Sequence, residues 1–160
     1  MRKITHIAAP KRAVPVALQR FAGEWRLEKL SAPQDGSKPE NFGEGTISAE
    51  LVGDFFVVSR WSGKVDGADY KAVQSLGYDI KRKKYAGCWT DSTMSYRWEL
   101  SGVVDEKSKE LTIMASGPGP TGGAATFRER YQFNSADSMQ RLADAASAFS
   151  GEIAGVCPRT

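Results

Sequence analysis

A chain of 160 residues with 41% apolar and 26% charged side chains has the size and balance of one globular domain with a real core. Its net charge of +3 favours solubility but falls well short of a nucleic-acid footprint, which needs basic residues concentrated on one face. No window approaches the roughly 18 apolar residues of a membrane span. The basic start, MRKITHIAAPKRAVPVALQR, is interrupted by His6, Pro10, Lys11 and Arg12, so no signal-peptide core forms. Two distant cysteines and the lack of an N-x-S/T sequon predict a cytoplasmic protein with free thiols.

In chain order, residues 1–14 read as a flexible tail. Pro15–Phe21 predicts a short helical turn with Val16, Leu18 and Phe21 on its apolar side. The pattern then changes to period two, which predicts strands near Glu24–Leu30, Gly43–Glu50, Asp54–Ser62 and Tyr70–Tyr78. Further strands are predicted near Lys84–Asp91, Ser95–Val104, Leu111–Ser116 and Ala125–Asn134. Asp66-Gly67 is a strong hairpin turn because both residues tolerate positive φ. Asp79–Lys83 and Asp105–Lys109 are short charged turns, and GPGPTGG at Gly117–Gly123 holds no regular structure.

Short strands with short connections and no βαβ alternation predict an all-β domain, an antiparallel up-and-down barrel of about 8–10 strands, over residues 15–136. The remaining segment, 137–160, is Ala-rich. Leu142, Ala146, Phe149, Ile153 and Val156 recur at steps of four and three, which predicts an amphipathic C-terminal helix after Ser138, interrupted by Gly151.

Several segments resemble the bacterial family catalogued as domain of unknown function 1579. The matching pieces are FAGEWR at Phe21–Arg26, LVGDFFVVSRWSG at Leu51–Gly63, SLGYDIKRKKYAGCWTDS at Ser75–Ser92, SGVVDEKSKELTIMASG at Ser101–Gly117 and RERYQFNSADSM at Arg128–Met139. The resemblance covers about residues 20–139 and implies a lipocalin-like (calycin) barrel without an assigned activity. Gly23-Glu24-Trp25 resembles the G-x-W that opens lipocalins, whose closing-strand Arg stacks over the Trp; Arg128 or Arg130 would take that place. Family members usually finish with one more strand where this chain has its Ala-rich segment. The resemblance therefore leaves either a helix closing the barrel end or an open seam that favours a homodimer.

The expected ligand-binding residues are Trp61, Tyr78, Trp89, Asp91, Arg97, Trp98 and Tyr131, with Tyr70, Tyr96, Phe127 and Arg60 beside them. By period two Tyr70 and Tyr78 share a face, as do Trp89 and Asp91, and Tyr96 and Trp98. A barrel lined this way suits a flat or acyl ligand, with a buried Arg pairing a carboxylate. The competing explanation is that these rings simply fill the barrel. Asp91 suits a general acid or base, but Asp91-Ser92-Thr93 suits a turn cap better. Glu99 and Glu129 are expected to face solvent or to pair with Arg97, Arg128 or Arg130.

The lone histidine, His6, lies in the tail, so a haem ligand on the barrel wall, a zinc site and a Ser-His-Asp triad all lack their imidazole. No cofactor or metal is expected. Cys88 alternates with Trp89 and reads as an inert thiol, with a Cys88–Cys157 bridge unsupported. KRKK at Lys81–Lys84 reads as a solvated turn, and GPGPTGG as a loop or a lid over one barrel mouth. The leading functional expectation is a module that binds a small hydrophobic or amphipathic molecule inside the barrel. The alternatives are an isomerase- or cyclase-type enzyme using Asp91, and a non-catalytic dimerising protein.

Overall fold

The computed structural model of the chain describes residues 16–32, 41–105, 110–119, 123–136, 138–145 and 152–158. A short helix, α1 (Val16–Phe21), precedes β1 (Gly23–Ala32), β2 (Asn41–Val52), β3 (Phe56–Val65) and β4 (Ala68–Asp79). Then follow β5 (Lys84–Asp91), β6 (Trp98–Asp105), β7 (Glu110–Pro118), β8 (Ala124–Phe133), β9 (Ser138–Ala145) and β10 (Glu152–Pro158). Each strand pairs antiparallel with its chain neighbours, and β10 also pairs with β1, so the ten strands close into a barrel.

The alternation that marks the strands in the sequence is the alternation between core and solvent. On β3, Val57, Ser59 and Trp61 are buried while Phe56 and Arg60 are exposed; on β7, Leu111, Ile113 and Ala115 are buried. Asp66 (φ 51°) and Gly67 (φ 78°) supply the two left-handed residues that a tight β3–β4 turn requires. Gly45 and Gly63 oppose each other on β2 and β3, and a Cβ on either would run into the partner strand's backbone. This pair lets the two strands approach closely there.

The barrel has one plugged end. Leu18 and Phe21 of α1 are buried, and the Phe21 ring meets Tyr131 and Phe133 edge-on at 5.0 and 5.2 Å. Trp25, at the start of β1, donates from Nε1 to the Phe21 carbonyl at 2.7 Å. The last carbonyl of α1, which has no partner within the helix, is thereby satisfied. The β2–β3, β4–β5 and β8–β9 connections share this end. The β3–β4, β5–β6 and β7–β8 connections lie at the other.

The predicted C-terminal helix is not present: Ser138–Ala145 and Glu152–Pro158 are strands. Without them β8 and β1 would each present a row of unpaired N–H and C=O groups. That pairing demand outweighs the high helix propensity of an Ala-rich stretch, because tertiary context overrides local propensity. The expected N-cap, Ser138, opens β9, and its carbonyl accepts from the N–H groups of Asn134 and Ser135. Closure also removes the open seam on which edge-to-edge dimerisation was expected. The tail before residue 16 and the stretch around Phe149 lie outside the described residues.

The plug makes Trp25 a test of the fold. Trp25→Ala is expected to lower stability by about 3–5 kcal/mol in urea unfolding. Trp25→Phe keeps most of the buried area but orphans the Phe21 carbonyl, for an expected loss of about 1–3 kcal/mol.

Candidate functional site: a charged pair inside an aromatic barrel

Four inward-facing strand positions meet at mid-height. Tyr131 on β8 stands opposite Arg141 on β9, Glu129 lies two residues along β8, and Gln74 reaches them from β4. Gln74 Nε2 donates to Tyr131 Oη at 3.0 Å, and Tyr131 Oη donates to Glu129 Oε2 at 2.8 Å. Arg141 closes the network, with Nη2 donating to Glu129 Oε1 at 2.5 Å and Nε lying 3.2 Å from Tyr131 Oη. The pair is well removed from solvent, with side-chain exposures of 15% for Arg141 and 8% for Glu129.

Aromatic faces surround the guanidinium. Arg141 Cζ lies 5.4 Å from the Trp61 ring centroid, 5.3 Å from Trp89 and 5.9 Å from Tyr131. Trp61 and Trp89 themselves meet edge-on at 5.2 Å. Desolvated contacts of this kind stabilise a cation by about 2 kcal/mol or more.

Burial by itself would loosen the hold of Arg141 on its proton, but the Glu129 carboxylate and the Tyr131 hydroxyl more than offset it, so the guanidinium holds its proton more firmly than a free one. Burial pushes the Tyr131 phenol well above its ordinary value, with the Glu129 charge adding to the effect. The Tyr70 phenol is raised too, first by burial and then by Asp91.

The network is not self-sufficient. Among the described residues, Ser59 Oγ, Trp61 Nε1 and Gln74 Oε1 are buried without a hydrogen-bond partner. Ser59 and Gln74 are cross-strand partners, and Gln74 is in turn opposite Trp89. A donor and two acceptor-capable atoms are therefore left unsatisfied on the wall that faces Arg141. Buried polar atoms of this kind each cost about 1–3 kcal/mol when unpaired.

The sequence-predicted residues divide into groups. Trp61, Trp89 and Tyr131 surround the charged pair. Trp98 is buried near the unplugged end, beside Tyr96 (5.8 Å) and Phe127 (5.1 Å), with its ring over Gly117. Tyr78 packs on Tyr85 at 5.0 Å near the plugged end, apart from the cluster. Arg97 and Arg60 are exposed and pair with Glu99 (2.6 Å) and Glu50 (2.8 Å), so neither supplies the interior cation.

Asp91 accepts from Trp89 Nε1 at 3.0 Å with Oδ2, and from the Thr93 N–H and hydroxyl with Oδ1. Both oxygens serve the β5–β6 turn and the indole, which is the turn-cap arrangement. Glu129 is buried on Arg141, not on solvent or on the arginines beside it. Arg128 and Arg130 alternate with Glu129 and Tyr131, which puts them on the outer face and away from the inward Trp25. Arg141 itself was missed because its segment reads as a helix. Its one sequence signal is the alternation of Met139 with Arg141.

Cys88 is a free thiol, and β5 and β10 stand on opposite sides of the barrel; the Cys157 side chain lies outside the described residues. Gly119 N–H donates to the Gly123 carbonyl in the β7–β8 loop, whose central residues 120–122 are likewise outside the description. An open hollow of about 610 Å³ lies on the outer flank of β1–β4, lined by Arg26, Glu44, Thr46, Ser62, Lys64 and Lys71 among others. Neither Arg141 nor Glu129 lines it, but Tyr70 does, and Tyr70 lies close enough to Asp91, Arg141 and Glu129 to feel their charges.

Arg141→Met leaves Glu129 buried without its cation and is expected to cost about 3–5 kcal/mol. The double variant Arg141→Met/Glu129→Leu should recover most of that loss, as read by urea unfolding. Tyr70 and Tyr131 add an alkaline pH dependence to stability. Their folded values lie above the ordinary 10.0, so the stability they contribute is complete below about pH 10 and falls as pH rises beyond it, where only the unfolded chain ionises. Tyr131→Phe is expected to show a shallower loss between about pH 9 and pH 11 in the same unfolding measurement.

The fold matches known structures at low sequence identity. An S-type phycobiliprotein lyase, CPES, from Guillardia theta is 14% identical, with a TM-score of 0.62 over 94% of each chain. Rv2717c from M. tuberculosis is 14% identical, with a TM-score of 0.63 over 93% of this chain and 99% of its own. A de novo designed fluorescence-activating β-barrel is 16% identical, with a TM-score of 0.51 over 90% and 97% of the two chains. No curated protein sequence matches the chain. The family described as "Protein of unknown function (DUF1579)" matches residues 13–151, and the chain belongs to that family.

Proposed function

We propose that the barrel binds a small amphipathic molecule whose acidic or otherwise polar head sits at Arg141 and whose apolar body lies against Trp61 and Trp89. The observation that carries this reading is the set of buried polar atoms without partners beside a charged pair. A carboxylate would accept from Trp61 Nε1 and from Arg141 Nη1, which donates to no described residue. A hydroxyl or amide on the same molecule would donate to Gln74 Oε1 and hydrogen-bond with Ser59 Oγ. The aromatic wall supplies the apolar contact typical of small-molecule sites.

Entry would be from the end bearing Asp91, Trp98 and Gly117, since α1 fills the other. The phycobiliprotein lyase and the fluorescence-activating barrel among the similar structures support this reading through shared architecture alone. A cytoplasmic setting belongs to the same proposal, in keeping with the free thiol of Cys88.

Tryptophan fluorescence titration with matched amphipathic carboxylates and alcohols tests the reading. Saturable binding with the acid at least about tenfold tighter than the alcohol is expected, since a charge-assisted hydrogen bond contributes about 1.5–3 kcal/mol. The double variant Arg141→Met/Glu129→Leu, if folded, should lose that preference. Equal binding of acid and alcohol by the native chain would overturn the assignment of the head group.

A further inference from the structure

Two hairpin tips at the plugged end push apolar side chains into water. Val52 and Phe56, flanking the β2–β3 turn, are 54% and 51% exposed, and Leu51 and Ile80 are exposed too. The two tips are fastened together. Tyr78 N–H donates to the Phe55 carbonyl at 2.9 Å, and the Phe56 ring covers Gly77, the residue opposite it on β4.

Directly after Ile80 come Lys81, Arg82, Lys83 and Lys84, of which the first three are exposed. Lys83 takes a left-handed φ of 53° that turns the run sharply back into β5. Among the described residues, the carboxylates on these two turns are Asp79 and Asp54, and Glu50 nearby on β2 is paired with Arg60. Asp79 accepts from the Lys81 and Arg82 N–H groups at 2.9 and 3.0 Å and lies 3.7 Å from Arg82 Nε. Asp54 sits in the β2–β3 turn. Four cations thus outnumber two carboxylates beside an apolar ledge.

We propose that this end of the barrel docks on an anionic lipid surface. An exposed apolar patch gains free energy when it leaves water. The cover must be apolar within and negative at its rim, which a bilayer with acidic head groups provides. A second copy is the poorer occupant, because a two-fold contact would bring one Lys81–Lys84 run against its twin.

Co-sedimentation of the full chain with phosphatidylcholine vesicles, with and without phosphatidylserine, tests the proposal. Binding is expected only with phosphatidylserine and should weaken as salt is raised. At about fivefold per cation, Lys81→Gln/Arg82→Gln/Lys83→Asn should lower the partition coefficient about a hundredfold; Asn is chosen to tolerate the left-handed turn. Val52→Asp, at a position open to solvent, should lower it severalfold without changing the near-UV circular dichroism. Failure of the folded native chain to bind phosphatidylserine vesicles would overturn the proposal, as would equal binding to neutral ones. Concentration-dependent dimerisation that Val52→Asp abolishes would overturn it in favour of a second copy. None of these outcomes bears on binding inside the barrel.

Discussion

The structure turns on placing an Arg–Glu pair inside a β-barrel. Taking each ion out of water costs several kcal/mol, and mutual attraction offsets this only with good geometry and further hydrogen bonds. Glu129 has Arg141 and the Tyr131 hydroxyl; Arg141 has Glu129, Tyr131 and the faces of two tryptophans. Arg141 stands opposite Tyr131 across the β8–β9 ladder. A one-residue slip of β9 would turn Arg141 to solvent and leave Glu129 alone. The pair therefore fixes the register of β9, and through β9 that of β10, the strand that closes the barrel. Replacing both ions by apolar residues should be tolerated by stability alone, so their presence points to specificity or to a ligand.

The barrel is asymmetric along its axis. One end is stopped by Leu18 and Phe21 and stapled by Trp25; at the other, Trp98 lies over Gly117 and packs against Tyr96 and Phe127. Aromatic rings line both ends, and between them polar atoms of the wall are left without protein partners at mid-height. An unpaired indole N–H, amide oxygen and hydroxyl on adjoining positions call for a partner, either buried water or the polar end of the proposed small molecule.

Much of this architecture was legible in the sequence. Period-two alternation located the first eight strands, with Lys84–Asp91 matching β5 residue for residue, because those strands have one wet face and one dry face. The turn at Asp66-Gly67 was legible through local backbone chemistry, and the short helix before Trp25 through the apolar side formed by Val16, Leu18 and Phe21. What the sequence hid is everything set by closure. Ser138–Pro158 has weak β propensity and an apparent helical period, and only the unpaired edges of β8 and β1 make it a strand pair. The site suffered for it. Trp61, Trp89 and Tyr131 were found by their aromatic character, yet the cation they surround was sought at Arg97, which lies on the outer surface. Glu129 was expected in solvent or on Arg97, Arg128 or Arg130, because a carboxylate within a strand is usually exposed or paired nearby, and its true partner was hidden in the misread segment.

Native mass spectrometry of the protein, purified without detergent or organic solvent, tests the central claim most directly. The account predicts a discrete bound mass of a few hundred daltons that is released on denaturation, carries an acidic or strongly polar group, and is lost from the folded Arg141→Met/Glu129→Leu variant. A native chain with only its apo mass, unshifted after incubation with amphipathic carboxylates, would contradict it and show that the charged pair serves the fold alone.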